Sequence, residues 1–409
     1  MKMSISLLAL ASILAAGTAY ASGYRIPEQS SDSVAKAGAH IASSTGADSS
    51  YYNPANMGFA DDAWLTEIDL TYIHLTSIDY TDNRTPTFNG SSEQENFLLP
   101  TFFVVSPDYA NFRFGLSFTA PYGLAKRWND YYPSLTANKF ELQVLDLNPS
   151  VAYKVNEYFS LAGGVRAIFS TADARFGGAA PSGFVGNLDA DGDWATDWGW
   201  NLALAVKPTQ ESNFSATYRS KVDLGLSAST TGSTNMPMQY SWQSDADLAL
   251  PAPAVFTLAG AYTWNALTIE LTWDRTFWSE YEELNFDFDD PIAEGVFGQP
   301  SPKNWDDTDA FRIGAAYAFN DAFTGMLGFA VDSNPVPEEA LGFELPDSDV
   351  LLFSIGGRYK INEKAEFGLG LLYDYKDSRK VTNATAAQID GEFENAAAFL
   401  LSAGFSYKF

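Results

Sequence analysis

The densest group of potential ligand atoms in the chain is Asp189-Ala190-Asp191-Gly192-Asp193, whose alternating carboxylates imitate the first half of a calcium loop. The imitation fails twice. Its glycine comes one residue early, and Trp200 stands where a bidentate Glu is required. An acidic external loop is the expectation there. The two histidines, His40 and His74, lie far apart without the spacing of a zinc site. With no cysteine there is no thiolate ligand, no sulfur nucleophile and no disulfide framework. No catalytic centre, metal or cofactor is expected, and a formal charge of −27 argues against nucleic acid as a partner.

What remains is binding and passage, so the elements that would position such a site come next. Lys2, the apolar run from Ile5 to Ala16 and the small-x-small group Ala19-Tyr20-Ala21 make residues 1–21 an expected signal peptide, with the mature chain starting at Ser22. Loss of one Lys then takes the charge from −27 to −28. Nowhere later do about 18 uncharged apolar residues follow one another, so spanning helices are excluded.

Period-two alternation recurs instead. Phe112, Phe114, Leu116 and Phe118 alternate with Arg113, Gly115, Ser117 and Thr119; Trp198, Trp200, Leu202 and Leu204 alternate with Asp197, Gly199, Asn201 and Ala203. The apolar faces carry no charge, and Arg113, Arg219, Lys221, Arg312 and Arg358 all fall on the other face. That is what lipid demands, because a cation at mid-bilayer costs about 2–4 kcal/mol. A soluble sandwich would also alternate, but its outer face would be richer in Lys and Glu than in Gly, Ser and Ala. The last residues, from Phe399 to Phe409, alternate and end on an aromatic, which resembles the signal that barrel-assembly machinery reads.

A first pass finds fifteen alternating segments, whereas bacterial single-chain barrels have even strand numbers. Turn chemistry resolves the parity. Short connections occur at Pro107-Asp108-Tyr109, Asn156-Glu157, Lys207 to Ser212, Asn265-Ala266, Asn320-Asp321 and Asn362-Glu363-Lys364. Alternation of short and long connections then requires Ala246–Leu250 and Ala254–Trp264 to be one strand broken at Pro251-Ala252-Pro253. The expected fold is an all-β, 14-stranded antiparallel transmembrane barrel over 62–409 with both ends periplasmic. Residues 22–61 lack sustained alternation. The helical spacing of Val34, Ala37 and Ile41 and the packed character of Tyr51 to Met57 favour a plug with short helices, a hatch, over a loose linker.

A series of motifs in fixed order then resembles the FadL family of outer-membrane long-chain fatty acid transporters. They are Ser22-Gly23-Tyr24, Asn53-Pro54-Ala55, Tyr122-Gly123-Leu124-Ala125 with Asn129-Asp130, Tyr218-Arg219-Ser220-Lys221-Val222, Asp309-Ala310-Phe311-Arg312-Ile313, and Asp332-Ser333-Asn334-Pro335-Val336-Pro337. The resemblance implies a hatch-plugged barrel of fourteen strands in the bacterial outer membrane. It also implies passive capture of a hydrophobic substrate in an external groove, transfer to an internal pocket and lateral release through a kink in the third strand. By resemblance Ser22, Gly23 and Tyr24 reach into the pocket, Asn53, Pro54 and Ala55 contact the wall, and Pro121, Tyr122 and Gly123 form the kink. Arg175 and Lys303 would meet a carboxylate head group. The expected partners are a long-chain fatty acid or other hydrophobic small molecule, outer-membrane lipid and lipopolysaccharide, and the assembly machinery. Acidic loops carrying Glu280, Glu282, Glu283, Asp287, Asp289 and Asp290 depart from the pattern, which keeps open a channel for aromatic hydrocarbons and a non-transport adhesin or structural barrel.

Overall fold

Alternation sorts each strand onto two faces, and in a computed structural model of the chain the sheet closes so that one face looks out and the other in. The structure describes residues 23–384 and 389–409; the expected signal peptide and Ser22 lie outside the described residues. In β1, Leu65–Leu75, the outward Ile68, Leu70 and Tyr72 are 55, 48 and 40% exposed, whereas Glu67, Asp69 and Thr71 are buried inside. Lipid rewards the first set only.

The remaining barrel strands are β2 (Glu95–Val105), β3 (Phe112–Arg127), β4 (Lys139–Lys154), β5 (Phe159–Ala179), β6 (Ala195–Val206) and β7 (Ser212–Arg219). They continue as β8 (Val255–Trp264), β9 (Leu267–Thr276), β10 (Thr308–Ala318), β11 (Phe323–Asp332), β12 (Val350–Lys360), β13 (Ala365–Lys376) and β14 (Ala397–Lys408). Each pairs antiparallel with its neighbour. β1 pairs with β2 from Leu65↔Val105 to Leu75↔Glu95 and with β14 from Leu65↔Lys408 to Leu75↔Ala398. Fourteen strands thus form a closed antiparallel barrel, and closure removes the polar edges that hydrocarbon cannot solvate.

The prolines at 251 and 253 do more than interrupt one strand. Beyond Arg219 and before Val255 the chain forms a separate hairpin, Val222–Thr234 with Tyr240–Ala252, which also pairs with Val185–Gly192 above the end of β5. Residues 227–242 are therefore mostly hairpin, and β3 runs through Pro121 to Gly123 as far as Arg127. Asp189 and Asp191 sit in the extended strand Val185–Gly192.

Residues 23–60 lie inside the barrel. Helix α1 is Ser31–Ala35, capped by the Ser30 side chain, and α2 is Ser49–Tyr52, followed by a 3-10 turn over Pro54–Phe59. α1 stops earlier than the spacing of Val34, Ala37 and Ile41 suggests because Ala37 and Gly38 adopt φ of +50° and +81°. A five-residue helix has no stability of its own, so its docking holds it. At the wall Gly370 is required: a Cβ there would stand 2.9 Å from the Ala35 nitrogen and 3.0 Å from the Val34 side chain.

Of the cations placed on the face away from lipid, Arg113, Arg219, Arg312 and Arg358 meet this segment, whereas Lys221 pairs with Glu280. Arg358 donates to Asp32 at 3.0 Å and to Glu67 at 2.8 Å, tying α1 to β12 and β1. Arg312 reaches Asp274, Asp332 and the Ala37 carbonyl, and Arg113 reaches the Ala60 and Asp61 carbonyls. Arg358→Met leaves two largely buried carboxylates without their cation, at an expected cost of about 3–5 kcal/mol. Limited proteolysis of the assembled barrel should then open residues 23–60 while the heat-modifiable band of the folded barrel persists. Unchanged protection would show that these ion pairs do not hold the segment.

Candidate functional site

β3 pairs with β2 only from Val105↔Gly115 to Phe102↔Phe118. Beyond Phe118 it leaves β2, and its register with β4 shifts between Thr119 and Tyr122. Pro121 has no N–H to offer a ladder, so a break there forfeits less than elsewhere. At the far end the strands meet again: Glu93 N donates to Arg127 O at 2.8 Å, and Arg127 forms a bidentate pair with Glu95 at 2.8 and 2.6 Å.

The N-terminal segment takes over the vacated edge. Ile26 N donates to Pro121 O at 2.7 Å and Gly123 N donates to Tyr24 O at 3.0 Å, an antiparallel bridge centred on Arg25 and Tyr122. The Gln29 amide accepts from Ala120 N at 2.8 Å and donates to Ala120 O at 3.0 Å, while Thr101 of β2 donates to Gln29 O at 2.7 Å. One short segment therefore bridges both sides of the break.

Tyr24 points from this bridge into an aromatic cage. Its ring centroid lies 4.6 Å from that of Trp278, 5.8 Å from Trp305, 6.5 Å from Tyr281 and 6.4 Å from Tyr122, and its hydroxyl donates to Pro251 O at 2.5 Å. Burial pushes the Tyr24 phenol well above its usual value, with Tyr281 and Tyr122 acting in the same direction, so it stays a neutral donor. Gly23 precedes it at φ +67°, and its N–H donates to Asp347 at 3.1 Å. The apolar pocket beyond Tyr24 is lined by Leu124, Phe140, Leu142, Leu284, Trp305 and Leu345. Only about 20 Å³ of it is free, room for about one water. Tyr24 is itself one of the lining residues.

The residues anticipated from sequence are distributed unevenly around this pocket. Lys303 lines it, 5% exposed, with Nζ held at 2.6 Å by Glu344. Arg175 is elsewhere: it lies in the outer part of β5, its side chain 54% exposed and paired with Asp189 at 2.6 Å. Asn53 donates to Ser215 at 2.7 Å on the wall and accepts from Ala55 N at 3.1 Å; Pro54 opens the 3-10 turn, and Ala55 packs on Ala203 and Ala205. Trp278, Tyr281 and Trp305, Gln29 and Asp347 escaped the sequence reading. The only signal for the three aromatics was an excess of rings in a loop otherwise read as acidic, and Gln29 and Asp347 carried none. Outside, Leu135, Phe176, Pro181, Phe184, Phe297 and Phe343 line an apolar groove of about 250 Å³.

Comparison with known proteins agrees with the barrel fold. Residues 12–409 match the family model described as outer membrane protein transport protein (OMPP1/FadL/TodX). The chain is 27% identical over 369 residues to the long-chain fatty acid transport protein of Escherichia coli O6:H1, covering 78% of this chain and 80% of that one. It is 24% identical to outer membrane protein P1 of Haemophilus influenzae, covering 93 and 91%. Among solved structures, a Pseudomonas aeruginosa FadL homologue superposes with a TM-score of 0.81 at 18% identity, covering 95% of this chain and 100% of that one. The P. putida toluene transporter TodX superposes at 0.72 with 18% identity, covering 93 and 98%.

A Cβ at Gly23 would stand 2.7 Å from Trp278 and 2.9 Å from Trp305, and a left-handed backbone costs a non-glycine residue about 1–2 kcal/mol. Gly23→Ala should therefore loosen the bridge. The expected result is faster amide hydrogen exchange in peptides covering Tyr24–Ile26 and Pro121–Gly123, with exchange in β9 and β13 unchanged. Unaltered exchange would mean that the cage does not hold this segment in place.

Proposed function

Since the chain belongs to the OmpP1/FadL/TodX family of outer-membrane transport proteins, we propose that it carries long-chain fatty acids or similar hydrophobic molecules inward by passive diffusion and releases them sideways between β2 and β3. One observation carries the proposal. Tyr24, which lines the apolar pocket, belongs to the same three-residue bridge that closes the break in β3 at Pro121 to Gly123. A substrate that displaces the Tyr24 ring also strips those backbone bonds, so occupancy of the pocket and opening of the wall are one event. In this reading residues 22–61 act as the hatch, and Ser22, Gly23 and Tyr24 move with the substrate. The external groove makes the first capture.

Lateral release suits an apolar cargo, which gains nothing from periplasmic water and regains its transfer free energy in lipid. In the same reading the outward strand faces meet that lipid and lipopolysaccharide, and the alternating strand β14 is offered to assembly machinery. A fatty acid head group at Lys303 would have to replace Glu344. A second reading, a channel for small aromatic hydrocarbons, draws on the four-ring cage around Tyr24 and on the neutral Lys303–Glu344 pair.

Uptake of labelled oleate and labelled toluene by cells producing the protein distinguishes the two. Oleate uptake should exceed that of cells lacking the protein; toluene uptake alone would favour the second reading. Gly123→Phe, which places a bulky side chain where Tyr24 bonds β3, should abolish most of the uptake without changing the amount of assembled barrel. Undiminished uptake would remove lateral release beside β3.

A further inference from the structure

Directly beneath the bridge a second cavity, of about 40 Å³, is enclosed by Pro121 and Tyr122 on one side and by the guanidinium groups of Arg25, Arg166, Arg219 and Arg312. Their pairing is unequal. Arg25 and Arg312 are answered by Asp274, and Arg312 also by Asp332 and Glu28. Arg166 and Arg219 share one carboxylate, Asp146, at 2.8 and 3.9 Å. Arg166 also donates to Ser220 O at 3.1 Å, and Arg219 donates to Tyr51 O while stacking 4.0 Å over the Tyr51 ring. Two donors are left over. Among the described residues Arg166 Nη2 and Arg219 Nη1 have no hydrogen-bond partner, and the Arg166 side chain is 0% exposed. Asp146 Oδ1 is likewise unpartnered, but Asp146 does not line the cavity.

Buried guanidinium N–H groups left unbonded are costly, and two cations sharing one anion leave a net positive charge. We infer that this cavity is a carboxylate station: Arg166 Nη2 and Arg219 Nη1 receive the head group of an apolar acid on its way to the gap beside Tyr122. The inference rests on the transport reading above and deepens it by fixing the substrate class as acids. A carboxylate fits the chemistry, since it accepts from two guanidinium donors at once and answers the local positive excess at Arg166 and Arg219, the third carboxylate of the Arg25 and Arg312 group being held on Arg312. It also fits the volume, which admits a head group but no chain. Lys303 and Arg175 are already neutralised by Glu344 and Asp189 and leave no surplus charge to attract an anion. Tyr122 lines this cavity and touches Tyr24 above it, so a chain in the aromatic pocket has its head group within reach once Tyr24 is displaced.

The test compares oleate with oleyl alcohol, which has the same chain without the charge, binding to the purified full-length barrel in uncharged micelles at pH 8. Wild-type protein should prefer the acid by about tenfold, the worth of one or two charge-assisted hydrogen bonds. Arg166→Gln should bring the ratio near one while alcohol affinity holds; Asp146→Asn, which adds surplus positive charge, should widen it. Arg175→Gln, outside the pocket, should leave the preference in place. Equal losses for both ligands in Arg166→Gln, an unchanged ratio in Asp146→Asn, or a preference abolished by Arg175→Gln would each overturn the station. If wild-type protein binds neither ligand and cells take up neither, the transport reading itself falls and this site's role with it. An acid preference independent of Arg166 would overturn the station alone.

Discussion

A backbone that leaves its neighbour inside a membrane barrel must find other partners for its N–H and C=O groups, because neither hydrocarbon nor a dry lumen supplies them. Above Phe118 β3 gives up its bonds to β2, and the whole inner arrangement follows from how they are replaced. Gln29 caps Ala120 with both ends of its amide, and Tyr24 to Ile26 substitute for a strand along Pro121 to Gly123. The break in the wall and the placement of the N-terminal segment are thus a single structure, each unsatisfied without the other.

Charge inside the barrel obeys the same accounting. Lumen-facing Arg and Asp side chains would be water-solvated in an open pore, but the packed segment buries most of their surface, so they are paired. Arg358 with Asp32 and Glu67 meets that demand and fastens the segment to β12 and β1, and Arg312 with Asp274, Asp332 and Glu28 does the same for β9, β10 and β11. The Arg166, Arg219 and Asp146 group meets it incompletely, and it lies directly under the strand break. A local charge imbalance persists in a buried site only when something compensates for it.

The apolar pocket is nearly full in this state, and Tyr24 is one of the side chains lining it. Tyr24 brings one polar atom, satisfied by Pro251 O, into surroundings of indole and phenol rings. An incoming apolar chain can match the ring contacts but cannot restore the backbone bridge below them. In the proposed mechanism substrate binding and bridge closure therefore compete, and the difference between two similar apolar occupants decides which prevails.

By itself the sequence determined the class of the fold. Period-two alternation with uncharged outer faces, short turns in alternate connections and the even-strand requirement were local features, readable along one strand or one turn, and they yielded fourteen antiparallel strands in a closed barrel. The motif series placed the chain in its family, and Pro121 and Gly123 marked where ladder chemistry weakens. Tertiary structure alone decided which charges meet. Alternation puts Arg219 and Arg312 on the inner face but cannot say that they are buried there, or that Asp146 must serve Arg219 and Arg166 together. Nor could it bring Tyr24 against Trp278 and Trp305, more than 250 residues away in the chain, or separate Lys303, in the pocket, from Arg175, outside it. Strand pattern is set by neighbours in sequence, whereas pairing in the lumen is set by barrel closure and by the segment folded back inside it.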